Sequence, residues 1–310
     1  MGRIATAVFL AIAAAAASGS SGVRAETFHT CAGFIDSVPA TIDAQGVWCL
    51  RRDLSTGIAS GSAINITVNN VTIDCNGFKL GGLPAGDASQ ARGIRAFDVQ
   101  NAAVRNCKIR GFAVGLHLDQ GEGHLVEDNR FDNNLTVGIS ICCGSNNIVQ
   151  RNIVYDTGGS TVFTAATGIT ALGHVRDNIV RGVHANGSGI ARGISVGSYG
   201  SSIRDNEVYE ILSNATGNST AVGIYAYGNA QTIEHNIVLG LYAIPEGAPI
   251  GIHATEAGAQ VVGNRLDAVN GGVYGIRGSS SDTICKDNTA VGFTTAFSSC
   301  EVSEGNLSSP

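Results

Sequence analysis

The sequence is short of what helical bundles, long amphipathic helices and nucleic-acid-binding surfaces require. Of its 310 residues only 14% are charged, 6% are aromatic, five are Pro, one is Met and one is Trp. So few charges cannot clothe the polar faces of many helices, and no sustained helical period appears after residue 26. Basic residues are outnumbered, 19 Lys and Arg against 25 Asp and Glu, for a formal charge of −6. This argues against a nucleic-acid partner, which needs a basic face, so none is expected. An acidic polysaccharide is not excluded, because a local group of Arg and His outweighs a distant negative sum. Long apolar runs are also missing beyond the N-terminus, so no membrane span is expected in the mature chain.

The N-terminus itself differs. Arg3 precedes an apolar run from Ile4 to Ala17, followed by Ser18 to Gly22 and the small-residue site Val23-Arg24-Ala25. That order reads as a secretory signal peptide over residues 1–25, which places the mature protein outside the cytoplasm, secreted or periplasmic. Its removal takes away Arg3 and Arg24 and no acid, leaving 17 basic against 25 acidic residues, a charge of −8.

What the chain has in abundance is Gly, 42 of them, and a repeat. Leu125 to Phe131 carries an apolar-x-x-Asn-x-apolar frame that returns around Asn152, Asn178, Asn206, Asn236 and Asn264, with an earlier copy at Asn76 and a shifted last one at Asn288. Cys107 stands where one Asn is due. Successive positions lie 22 to 31 residues apart, a period that means stacked repeats. A second marker, Gly followed by an aliphatic residue, interleaves at Gly93, Gly115, Gly138, Gly168, Gly193, Gly223, Gly251 and Gly275. From each Gly to the next Asn position the distance is 10 to 14 residues, whereas from Asn to Gly it ranges from 8 to 17. One half of the repeat is constant, and the other absorbs the insertions.

Eight Cys residues suit an oxidising compartment, although eight allow about 105 pairings. Position in the repeat narrows the options to Cys31 with Cys49, Cys75 with Cys107, and Cys285 with Cys300. Cys142 and Cys143 remain, for a vicinal disulfide or for a soft metal such as copper; no His or Met lies near them in sequence, so no metal is assigned.

Residues 26–62 lie outside the clear repeat and are expected to cap a solenoid that occupies residues 63–310, since an open end exposes apolar surface and strand edges. Each Gly-aliphatic segment reads as one strand per coil, with Ile94, Leu116, Ile139, Ile169, Ile194, Ile224, Ile252 and Ile276 facing inward. The Gly-Ile strand, the Asn turn and the entry segment AINITVNNVTIDCNGFKL from Ala63 resemble the right-handed parallel β-helix proteins of the pectate-lyase-like superfamily over roughly residues 38 to 300. The resemblance implies an all-β, single-stranded right-handed parallel β-helix of about nine to ten coils. It also implies a ladder of hydrogen-bonded Asn side chains inside one turn: Asn76, Asn129, Asn152, Asn178, Asn206, Asn236, Asn264 and Asn288.

The Asn-to-Gly intervals then give loop heights along one edge, short before Gly115 and Gly138 and long on either side. A dip results, walled by residues 79–92 and 155–167. The residue after each inward aliphatic faces outward, giving the row Arg95, His117, Ser140, Thr170, Ser195, Tyr225, His253, Arg277, with neighbours roughly 4.8 Å apart. Removing a proton beside a uronate carboxylate takes a cation to neutralise the carboxylate and a base. The catalytic candidates are therefore Arg95, His117 and Asp119 in the dip, with Tyr225, His253 and Arg277 as second choice. Ser140, Tyr225 and Tyr227 are the candidates for holding sugar. The polygalacturonase Asp-rich motifs, the Arg-x-Pro-x-x-Arg of pectate lyases and the Asp-Pro-His-Asp of β-helical epimerases are all missing. No run of acids offers a Ca²⁺ site, so no cofactor is expected.

These observations favour an exported, monomeric protein that binds an extended, acidic polysaccharide. A diverged polysaccharide lyase acting by β-elimination is the second reading. A periplasmic scaffold or metalloenzyme maturation factor, for which only Cys142 and Cys143 speak, is the third.

Overall fold

The computed structural model describes residues 30–187, 189–214, 220–243, 247–278 and 282–309. The expected signal peptide lies outside them. The described chain is an all-β right-handed parallel solenoid of about nine turns in which three ladders of short parallel strands wind around one apolar core. No helix among the described residues is long and apolar enough to cross a membrane.

The first ladder holds the Gly-aliphatic strands, among them Arg92–Phe97, Val114–Asp119, Val137–Cys142 and Ile190–Gly197. The second carries the three or four residues before each Asn turn, for example Leu125–Glu127 and Ser202–Arg204. The third follows that turn, for example Arg130–Asp132 and Glu207–Asn214. Strands Ala40–Ile42, Gly46–Leu50 and Leu54–Ser55, within the expected cap, already pair in parallel with the next coil.

Each ladder contributes one apolar column to the core. Ile94, Leu116, Ile139, Ile169, Ile194, Ile224, Ile252 and Ile276 stack from the first ladder, all fully buried. Val104, Val126, Val149, Val175, Ile203, Ile233 and Val261 stack from the second. Ile109, Phe131, Val154, Val180, Val208, Val238 and Leu266 stack from the third. Burying one such side chain is worth about 1.5–3 kcal/mol, so identical positions in every coil make the axis of the solenoid its main source of stability.

The Gly marker has a steric cause. A Cβ on Gly93, Gly115, Gly138, Gly168, Gly193, Gly223 or Gly251 would stand 2.4–2.7 Å from the carbonyl oxygen of the marker Gly in the next coil. Both the Gly and the aliphatic residue after it are buried, so the strand bends inward there and the coils approach closely.

The turn between the second and third ladders is compact: one residue with positive φ (Asp128, Arg151, Asp177, Asp205, His235 or Asp287, for instance) and then the buried Asn. Asn129, Asn152, Asn178, Asn206, Asn236, Asn264, Asn288 and Asn306 form a continuous chain. Each of the first seven donates from Nδ2 to the Oδ1 of the next at 3.0 Å. All eight also donate from Nδ2 to a second-ladder carbonyl one coil back at 2.8–3.0 Å. Cys107 enters the chain through its backbone, its N–H donating to Asn129 Oδ1 at 2.9 Å. Asn76 stands apart: its turn is longer, its φ is 48°, and its amide donates to Leu50 O without reaching an Asn neighbour. The side chain of Cys107 bonds to Cys75 instead. Cys31–Cys49, Cys142–Cys143 and Cys285–Cys300 complete four disulfides, and no described cysteine is free.

Candidate functional site on the first ladder

The strand register sets the outward face of the first ladder directly. Asn65, Arg95, His117, Ser140, Thr170, Ser195, Tyr225, His253 and Arg277 are paired neighbours in consecutive coils. A second row, closer to the strand ends, runs Phe97, Asp119, Cys142. Tyr227, one residue past its strand, stacks on Tyr225 with ring centroids 5.7 Å apart.

A third row precedes the marker Gly: Ser62, Arg92, Val114, Val137, Thr167, Arg192, Val222, Ile250 and Tyr274. Simple alternation from Ile94 assigns Arg92 to the interior. Because Gly93 and Ile94 are both buried, the parity slips by one and Arg92 and Arg192 emerge on the outer face. The triplet Arg-Gly-Ile, present at both 92–94 and 192–194, is the signal that was available for them.

Two clusters result. In the first, Arg92 Nε donates to His117 Nδ1 at 2.8 Å, and the Arg95 guanidinium lies 5.4 Å from the centroid of the exposed Phe97 ring. The buried Arg95 Nε has no hydrogen-bond partner. Burial first, and then the Arg92 charge, hold the His117 imidazole below its usual range. The ring is therefore neutral at neutral pH, and with Nδ1 accepting from Arg92 its proton sits on Nε2. His117 accordingly offers a donor to the outer face. Its one basic lone pair is engaged with Arg92, which counts against the role of proton-abstracting base.

In the second cluster the Arg192 guanidinium covers Tyr225 at 4.6 Å, His253 meets Tyr225 edge-on at 5.5 Å, and Arg277 lies over Tyr274 at 5.0 Å. Arg192 Nε is buried and unpartnered. Burial, followed by Arg277 and Arg192, pushes the His253 pKa down to about 4. Cation and aromatic faces alternate here in contact with one another, a surface suited to sugar rings and to anionic groups.

The dip has the expected short coils as its floor, and its two walls touch each other: Thr161 N–H donates to Asp87 O at 3.2 Å. Beside this bridge a cleft of about 440 Å³ runs along the third row, lined by Arg92, Val114, Val137 and Phe163 among others. Ser140 and Asp119 sit on the open face beyond it, Asp119 paired with Phe97 and Cys142. In the coils beyond the dip the extra residues lengthen third-ladder strands, to Ile179–Asn186, Glu207–Asn214 and Ile237–Ala243.

His124, which has no ligand spacing in the sequence, is a core residue of the turn from the first to the second ladder. It is 1% exposed and its Nδ1 accepts from Ala102 N–H at 3.2 Å, while burial lowers its pKa.

In overall shape the chain is similar to the Dettilon tailspike protein, with a TM-score of 0.54 and 17% identity over 84% of this chain and 54% of that one. It is also similar to the periplasmic alginate epimerase AlgG, with a TM-score of 0.50 and 13% identity over 87% of this chain and 75% of that one. The chain thus spans about half the length of the tailspike. No curated protein matches it in sequence. Residues 55–208 match the model of the right-handed beta helix region, and with the stacked ladders and the Asn chain this makes the protein a right-handed parallel β-helix repeat protein.

Proposed function

We propose that the protein binds an extended acidic polysaccharide along the outer face of the first ladder. The observation that carries this is the charge segregation on that face. In a chain of net charge −6, the central row and the row before the marker Gly bring out Arg92, Arg95, Arg192 and Arg277 with no carboxylate in either row, while Asp119 stands in the row beyond them near His117. Tyr225, Tyr227 and Phe97 supply ring faces beside the guanidinium groups. The likeness to a tailspike and to an alginate epimerase supports a carbohydrate as the ligand class. Export, which oxidised cysteines and the N-terminal sequence favour, would put the face among extracellular or periplasmic polymers.

The bond from Arg92 to His117 Nδ1 ranks binding above β-elimination at the first cluster. The lyase reading retains His253, which is neutral above about pH 4 and has Arg277 beside it. Affinity electrophoresis of the mature protein through gels containing alginate, pectate, chondroitin or a neutral glucan tests both, with ultraviolet detection of new unsaturated ends. Retention by the acidic polymers without products is the expected result. Products establish the lyase, and equal mobility in every gel overturns the proposal.

A further inference from the structure

The first-ladder face carries one more unusual group between its two clusters: the adjacent pair Cys142 and Cys143, joined to each other. Its surroundings separate it from the other three disulfides. Cys49, Cys75, Cys107 and Cys285 are at most 1% exposed, so each of those bridges has at least one sulfur sealed in the core. Cys31, Cys300 and Cys142 are half-buried, and of the eight cysteines Cys143 alone is exposed. Thiol–disulfide exchange requires a thiolate to reach a sulfur atom, so access alone makes this the disulfide that an external reductant meets first.

The neighbour of the pair is Asp119. Its Oδ1 lies 3.4 Å from Cys142 Sγ; the sulfur is in a disulfide and carries no proton, so this is a contact and not a hydrogen bond. Strand pairing holds Asp119 directly opposite Cys142, and Gln120 N–H donates to Cys142 O at 3.1 Å. The following residue, Gly144, packs so tightly on Gly121 that a Cβ would overlap its carbonyl oxygen, at 1.6 Å. These backbone restraints do not involve the sulfur–sulfur bond, so they persist when it is broken.

One donor atom from each of Asp119, Cys142 and Cys143 lies within 4.8 Å of the other two. In a tetrahedral site with sulfur about 2.3 Å from the metal, ligand atoms stand roughly 3.5–4 Å apart, within side-chain rotation of this arrangement. We propose that the Cys142–Cys143 pair is a redox-gated metal site: reduced, it binds one soft, thiophilic cation through both sulfurs and the Asp119 carboxylate. The gate is opened by an external dithiol. Its first thiolate attacks one sulfur of the pair to form a mixed disulfide and its second displaces it. The dithiol leaves as its own cyclic disulfide, and Cys142 and Cys143 each carry a thiol. A bound cation replaces the two thiol protons, which pass to solvent. Thiolate sulfur selects such ions over Mg²⁺ and Ca²⁺.

The test uses the full mature chain and Cd²⁺ as probe. Mild reduction of native protein is expected to release two thiols, mapped to Cys142 and Cys143, and the reduced protein should then bind one Cd²⁺ with a sulfur-to-metal charge-transfer band. The oxidised protein should show no such band. Asp119→Asn, which leaves the disulfide intact, should weaken Cd²⁺ binding about tenfold or more, and a Cys142→Ser, Cys143→Ser variant should abolish it. Failure of the native protein to release these two thiols overturns the gate. Absence of Cd²⁺ binding by the reduced protein, or undiminished binding by the Asp119→Asn variant, overturns the three-ligand site.

Discussion

Asn206 shows how much one side chain can do in a repeated turn. Its amide nitrogen donates to Val175 O, Arg204 O and Asn236 Oδ1, and its Oδ1 accepts from both the backbone and the side chain of Asn178. Truncation leaves buried groups of three coils unpaired, at about 1–3 kcal/mol each. Asn206→Ala is therefore expected to lower the unfolding free energy by roughly 2–4 kcal/mol in urea titrations. A second prediction at this scale concerns pH. The His253 pKa in the fold, about 4, lies below the ordinary value of 6.5, so the unfolded chain binds more protons between those limits. Stability contributed by neutral His253 is complete above pH 6.5 and is lost as pH falls toward 4. His253→Gln should flatten that part of the stability–pH curve, measured as the difference between variant and parent. The Asn chain is readable in the sequence wherever an apolar residue stands three before the Asn. Asn306 is missed because Ser303 occupies that inward place, and Asn76 is over-assigned because two extra residues lengthen its turn. Arg92 and Arg192 are missed because alternation does not survive two consecutive inward residues.

At the scale of the element, the Gly-to-Asn half of the repeat is constant for a steric reason. At Gly223 a Cβ would lie 2.2 Å from Val238 Cγ1 and 2.7 Å from Gly251 O. The first is a side-chain terminus, but the second is backbone held in a ladder, so the strand must move. Gly223→Ala is expected to destabilise by about 1–3 kcal/mol, visible as a lower denaturation midpoint, although Ala is an otherwise mild substitution. The Asn-to-Gly half has no such constraint and absorbs extra residues as longer third-ladder strands or as loops. Loop lengths read from the sequence identify the two short coils correctly. They do not reveal that the flanking segments touch, because the bond from Thr161 to Asp87 joins residues 74 apart by a contact that no periodicity encodes.

Across the whole molecule, the solenoid turns a one-dimensional repeat into rows, and the rows decide what each face can bind. Arg95 and Arg192 lie four coil steps apart along the first ladder, about 19 Å at one strand spacing per step. That reach fits an extended polymer better than a small ligand. Screening by salt should weaken such binding, since its energy resides in partly exposed charges. The most direct test is a binding isotherm for an acidic oligosaccharide, an alginate or pectate fragment retained in the gel screen, measured for the parent, for Arg192→Ala and for Arg181→Ala. Arg181 belongs to the third ladder and pairs with Glu210, so it controls for loss of a cation elsewhere. Arg192→Ala should lose about tenfold or more in affinity, the scale of a charge-assisted contact, and Arg181→Ala should keep the parental affinity. Parental affinity in the Arg192→Ala protein, or equal losses in both variants, would rule out the first-ladder face as the binding surface.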